Sequence, residues 1–154
     1  MEIERKFLIA SLPDLSGCDY AEIEQSYIDF GENDSPECRI RKLTKNGESE
    51  YFYTEKGLGD LCREEEEYEI SAYSYEKLKE LVISNVVAKT RYYFPLSDTL
   101  LAEIDVYGGS LAGLTVAEVE LNSIKESEEL TSPEWFGEEI TYDKTYRNKN
   151  LAKK

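Results

Sequence analysis

Histidine occurs nowhere in these 154 residues. Its absence removes Ser-His and Cys-His nucleophile pairs, His-ligated zinc and imidazole acid–base chemistry. Cysteine is scarce: Cys18, Cys38 and Cys62 form an odd, scattered set that fits neither a disulfide framework nor a zinc site. They read as reduced thiols, and so as a cytoplasmic location. No apolar run approaches the roughly 20 residues that a membrane helix needs. The opening Met1-Glu2-Ile3-Glu4-Arg5-Lys6 has no apolar signal region behind it, so export is not expected. Positive charge is also in deficit: 18 Lys and Arg against 33 Asp and Glu leave a net charge of −15. Such a surface repels nucleic acid and anionic lipid, so neither is an expected partner and any polyanion site must be a local exception. What remains for chemistry is carboxylates, cations, hydroxyls and oxygen-bound metal.

The length fits one domain spanning 1–154. Hydrophobic residues at 40% suffice for a core, and 12 tyrosines favour strands, where a ring packs across a pleated surface. Alternation marks strands at 2–9, 22–30, 37–43, 49–56, 62–70, 87–95, 100–107 and 114–121. Turn signals fall between several of them: Gly31 to Pro36, Asn46-Gly47, Gly57 to Asp60, and Gly108-Gly109 with Gly113. Tyr75, Leu78, Leu81 and Val82 form a helical stripe over 74–83, with Ser74 as its N-cap. A second short helix fits 123–130, and the tail from Asp143 has a weaker helical period.

Strand residues two apart share a face. Glu2, Glu4 and Lys6 therefore point one way, with Ile3 and Phe7 the other. Arg39 with Arg41, Lys89 with Arg91, Glu103 with Asp105, and Glu118 with Glu120 repeat the arrangement. Arg63, Glu65, Glu67 and Glu69 line up in the same way. An antiparallel sheet with one wet face gives this alternation too. Two features favour a closed barrel with the charged face inward. The signs are segregated into doublets, and Arg, whose fork suits phosphate, supplies most of the basic ones. The apolar face then points outward and needs helices over it. Half-buried charges of both signs are tolerable if the lumen holds water, metal and a polyanion. Carboxylates without His or Cys favour hard cations such as Mg²⁺ or Mn²⁺.

These residues resemble a family. Glu2-Ile3-Glu4-Arg5-Lys6 resembles the E-x-E-x-K signature of the CYTH domains, or triphosphate tunnel metalloenzymes. Arg39-Ile40-Arg41 is similar to the family's R-x-R, Thr54-Glu55-Lys56 to T-x-K, and Arg63 to Glu67 to R-x-E-x-E. Lys89-Thr90-Arg91-Tyr92, Glu103-x-Asp105, Glu118-x-Glu120 and the Pro133-x-Trp135-Phe136-Gly137 tail continue the series over nearly the whole chain. The resemblance implies a mainly β (α+β) fold: a closed antiparallel eight-stranded barrel, or tunnel, with a charged interior and covering helices. Its short bacterial members are typically inorganic triphosphatases, so the implied activity is metal-dependent hydrolysis of a terminal phosphoanhydride in a small-molecule triphosphate. Enzymes of organic triphosphates on the same fold, and a non-catalytic polyphosphate-binding module, are the alternatives. The expected assembly is a monomer or homodimer.

The resemblance further implies that Glu2, Glu4, Glu118 and Glu120 hold Mg²⁺ or Mn²⁺, with Asp105 assisting. Lys6, Arg39, Arg41, Lys56, Lys89 and Arg91 would clamp the triphosphate, with Arg63 and the tail's Lys144 in support. For Arg63, pairing with Glu65 and Glu67 on its own strand is the alternative. Tyr27 resembles a family tyrosine assigned as a proton acceptor, a role that needs adjacent cations to lower its pKa; packing alone is the alternative. Trp135 and Phe136 read as packing anchors.

Overall fold

The computed structural model describes residues 1–32 and 34–153. Its strands are β1 (Glu2–Ile9), β2 (Asp19–Phe30), β3 (Glu37–Lys45), β4 (Glu48–Lys56), β5 (Cys62–Arg63), β6 (Glu65–Ile70), β7 (Val87–Pro95), β8 (Leu101–Tyr107), β9 (Thr115–Glu120) and β10 (Phe136–Glu139). The helices are α1 (Ala72–Lys79), α2 (Ile124–Glu129) and α3 (Asn148–Leu151). No helix among the described residues is long and apolar enough to cross a membrane.

All pairings are antiparallel, in the order β10-β1-β9-β8-β7-β2-β3-β4-β6. The ring closes because β5 runs on into β6 but pairs with β1, matching Glu2 to Arg63 and Ile3 to Cys62. The expected run 62–70 is thus split at Glu64. Its first part serves β1 and its second part β4, so eight runs make the ring. The tenth strand, β10, has no counterpart among the expected runs and lies on the far part of β1's edge, at Phe7 and Ile9. The β3–β4 turn is built on Asn46 and Gly47, at φ 53° and 78°. Positive φ at both central residues is what a two-residue hairpin turn with matching twist requires.

The outward faces carry the apolar residues, as the alternation required. Phe7, Ile104, Ala117, Val119 and Phe136 form one buried cluster under Trp135, Phe94 and Leu130. The Phe136 ring lies 4.7 Å from Phe7, tilted, and 4.5 Å from Trp135, edge to face, so both tail aromatics are packing anchors. Helix α1 covers β3 and β4, with Tyr75 against Tyr51 at 5.0 Å. It begins earlier than expected. Ser71 caps it by accepting from the Ser74 amide, and it ends before the Leu81-Val82 part of the stripe.

At one end of the ring the inward positions turn apolar. Leu8, Val87, Val116, Tyr107 and Tyr27 pack there against Ile140, Tyr146, Leu151 and Ala152. The C-terminal segment is drawn over this end by backbone-directed contacts. Asn85 donates to the carbonyl of Ala152, and the Lys149 ammonium donates to that of Phe30. The lumen is therefore closed at one end by the chain's own tail.

Candidate active site

A cavity of about 520 Å³ runs inside the barrel. Its acidic wall comes from β1 and β9, where antiparallel register sets Glu4 opposite Glu120 and Lys6 opposite Glu118. Glu2 joins them, as does Glu65 from β6. Its basic wall carries Arg39 and Arg41 of β3, Lys56 of β4, Arg63 of β5 and Arg91 of β7. Tyr27 lies at the floor.

Ion pairs join strands around the lumen, and that between Lys56 and Glu2 ties the basic wall to the acidic one. Lys56 Nζ is 3.0 Å from Glu2, Arg63 3.1 Å from Glu37, Arg41 3.0 Å from Glu67, and Arg91 2.6 Å from Glu103. Arg63 thus pairs across to β3 and not with the glutamates that follow it in sequence. Arg39 makes no ion pair among the described residues. Burial, then the like charges of Arg39 and Arg91, pulls the Arg41 guanidinium down to about 10. Around Arg41 the wall crowds cations closely, and a bound polyanion would supply the negative charge that this position lacks.

The acidic wall is strained in the opposite sense. Burial, then the Glu118 charge, pushes the Glu4 carboxyl up to about 8. Burial and a hydrogen bond to Glu2 push Glu65 to about 7. Glu118 goes the other way: burial opposes, but Lys6 and Arg91 hold it at about 2. Among the described residues no three acidic groups are already converged into a metal cage. Lys56 and Lys6 draw Glu2 and Glu118 aside. The donor set still fits a hard divalent cation. It is all oxygen and half-buried, with Glu120 exposed, and it carries more carboxylate than its lysines neutralise.

Three of the expected site residues lie elsewhere. Asp105 and Lys89 do not line the cavity; they are a buried pair at 2.7 Å, with side chains 0% and 1% exposed. Asp105 also accepts from Nε and Nη2 of Arg91, at 2.8 and 3.0 Å, so its oxygens are spent on orienting that arginine. Lys144 is exposed and away from the lining. The tail contributes Arg147 and Asn148 instead, with Arg147 bound to Asp60 and the carbonyl of Gly59. Tyr27 lines the cavity, but the cations do not lower its pKa. Burial first, then Glu37, raises the phenol above its ordinary value against the pull of Arg39 and Arg63. It therefore holds its proton at neutral pH. Glu65 was legible as part of the R-x-E-x-E face, whereas no spacing in the sequence points to Arg147.

Opposed acidic and basic walls in one enclosed lumen define a protein that binds a polyanion together with cations. No family model matches the chain. It is 41% identical over 151 residues to an inorganic triphosphatase of Nitrosomonas europaea, covering 98% of this chain and 96% of that one. It is 32% identical over 154 residues to an inorganic triphosphatase of Acetivibrio thermocellus, covering 99% and 93%. The crystal structure of the inorganic triphosphatase NE1496 superposes with a TM-score of 0.70 at 39% identity, covering 99% of this chain and 94% of that one. The chain belongs to the inorganic triphosphatases of the triphosphate tunnel (CYTH) family.

Proposed function

We propose that this chain hydrolyses the terminal phosphoanhydride of inorganic tripolyphosphate, using Mg²⁺ or Mn²⁺. The observation that carries the reading is the facing of the two charged walls across one cavity of about 520 Å³. Lys6, Arg39, Arg41, Lys56, Arg63 and Arg91 hold the phosphate oxygens, Arg by its fork and Lys as a point charge. Lys89 and Asp105 act from behind by fixing Arg91. Glu2, Glu4, Glu118 and Glu120 hold the metal, with Glu65 beside them. The metal, when bound, neutralises phosphate charge and lowers the pKa of the attacking water. The water's oxygen bonds to the terminal phosphorus, the bridging P–O bond breaks, and orthophosphate and pyrophosphate leave. No enzyme-bound covalent intermediate is needed. Tyr27 contributes its hydroxyl proton as a hydrogen-bond donor to a phosphate oxygen. One chain supplies both walls, so the site needs no partner subunit. Three free cysteines accord with a reducing cytoplasm.

The test is phosphate release from a panel of tripolyphosphate, ATP and thiamine triphosphate, with each metal and with EDTA. Tripolyphosphate is expected to be turned over fastest, and only with metal, and Glu4→Ala to abolish the reaction. Turnover of the organic triphosphates alone would assign the tunnel to them. Binding of tripolyphosphate with no release under any metal would make the chain a binding module.

A further inference from the structure

We propose that Gln25 is a positioning residue of the phosphate clamp, working through one buried water that fixes the inner edges of Arg39 and Arg41. The inference rests on the tripolyphosphate reading of the lumen. Gln25 has no exposed surface and lies on the inward face of β2, next to Tyr27. Register sets Gln25 opposite Arg41 and Tyr27 opposite Arg39 on β3. Directly opposed side chains on one face start about 5 Å apart, and diagonal ones about 7–8 Å.

Among the described residues four buried side-chain polar atoms lack a hydrogen-bond partner. Three of them, Gln25 Oε1, Arg39 Nε and Arg41 Nε, belong to these neighbouring positions; the fourth is on α2. Buried polar groups are rarely left unpaired, and a buried water typically makes about three hydrogen bonds. One water satisfies this set without remainder. Its two lone pairs accept from the two Nε–H groups, and one of its O–H groups donates to Gln25 Oε1.

The amide can face only one way. Turned over, its NH₂ would confront two N–H donors. As it stands, Gln25 Nε2 donates to the Tyr27 hydroxyl oxygen at 3.3 Å. The phenol's own proton is thereby left for the lumen. Arg41 is held on its other sides as well. Phe52, its register partner on β4, lies 5.6 Å from the guanidinium carbon, and Glu67 takes Nη2 at 3.0 Å. With Nε fixed by the water and Nη2 by Glu67, Nη1 is the group left for a ligand in the cavity that Arg41 lines.

Two measurements test this. A crystal structure of the unsubstituted chain, refined with waters, is expected to show one density peak within about 3.2 Å of all three atoms; an empty position there overturns the proposal. The second is a double-mutant cycle on tripolyphosphate binding in metal-free buffer. Gln25→Met is expected to weaken binding by about tenfold, the worth of an interaction lost to a charged partner. If Gln25 acts through Arg41, Gln25→Met with Arg41→Met binds no more weakly than Arg41→Met alone. Additive losses overturn the proposal, as does unchanged binding in Gln25→Met. If the unsubstituted chain binds no tripolyphosphate with Mg²⁺ or without it, the functional reading fails, and the crystallographic water alone decides the placement of Gln25.

Discussion

The Lys6 ammonium donates to the backbone carbonyl of Tyr146 at 2.9 Å and stands 3.5 Å from the Glu118 carboxylate. One side chain therefore joins the acidic wall of the cavity to the tail that closes the lumen. Lys6→Met is expected to loosen the tail and weaken substrate binding together. Hydrogen exchange should quicken at residues 146–152 while KM for tripolyphosphate rises. A rise in KM with unchanged exchange would separate the two roles.

Tyr27→Phe keeps the ring in its buried seat and removes only the hydroxyl. With burial holding the phenol protonated, the loss is that of one hydrogen-bond donor to a charged acceptor, about 1.5–3 kcal/mol. KM for tripolyphosphate should rise, and the pH–rate profile should keep its shape. A profile that loses its alkaline limb in this variant would restore Tyr27 as the base.

Asp105 offers a contrast between stability and metal binding. It is fully buried between Lys89 and Arg91, which overcome the burial penalty and hold its carboxyl well below the usual range. Asp105→Ala leaves the buried Lys89 without its partner and Arg91 with Glu103 alone, at a cost of about 3–5 kcal/mol. Chemical denaturation should show that loss, and calorimetry should show metal affinity little changed in whatever protein remains folded. A large fall in metal affinity without loss of stability would make Asp105 a ligand.

The acidic wall makes stability depend on pH and on metal together. Burial and Glu118 lift Glu4 from 4.5 to about 8, and Glu65 rises to about 7. Between those values and 4.5 the folded chain keeps protons that the unfolded chain has released, so this contribution to stability falls as pH rises towards 8. Glu118, held at about 2, contributes fully above 4.5, and that contribution is lost as pH falls towards 2. Metal bound at the wall replaces the held protons. Thermal melts in EDTA should therefore decline as pH rises from 4.5 towards 8, and the gain in Tm from added Mg²⁺ should be larger at pH 8 than at pH 6. An equal gain at both would contradict the arrangement.

Alternation alone placed β1, β4, β7 and β8 to within a residue and put the charged doublets on one face, because a pleat of period two leaves no other choice. Glu64 breaks the 62–70 run for a reason that pattern cannot carry. The same segment must serve two different neighbours to close the ring. Strand β10 is four residues long, too short for alternation to register. Ser71 and Ser74 are equally good caps by composition, and only the chain's exit from β6 selects Ser71. In the site, residue type and spacing reached the walls of the cavity. They did not reach which charges would be spent on each other, as Lys89 and Asp105 are, because pairing between neighbouring strands depends on register. Arg147 comes from an irregular tail, where no period exists to read.

The ring is fastened between β1 and β5 by two residue pairs, Glu2 with Arg63 and Ile3 with Cys62, and by the Glu4 amide on the carbonyl of Leu61. So few rungs make this the weakest stave joint of the barrel. Glu2 and Glu4 stand on one side of that joint and Arg63 and Glu65 on the other, all turned to the same interior. A guest gripped from both sides acts as a rivet, so the protein is at its sturdiest while it holds the molecule it acts on.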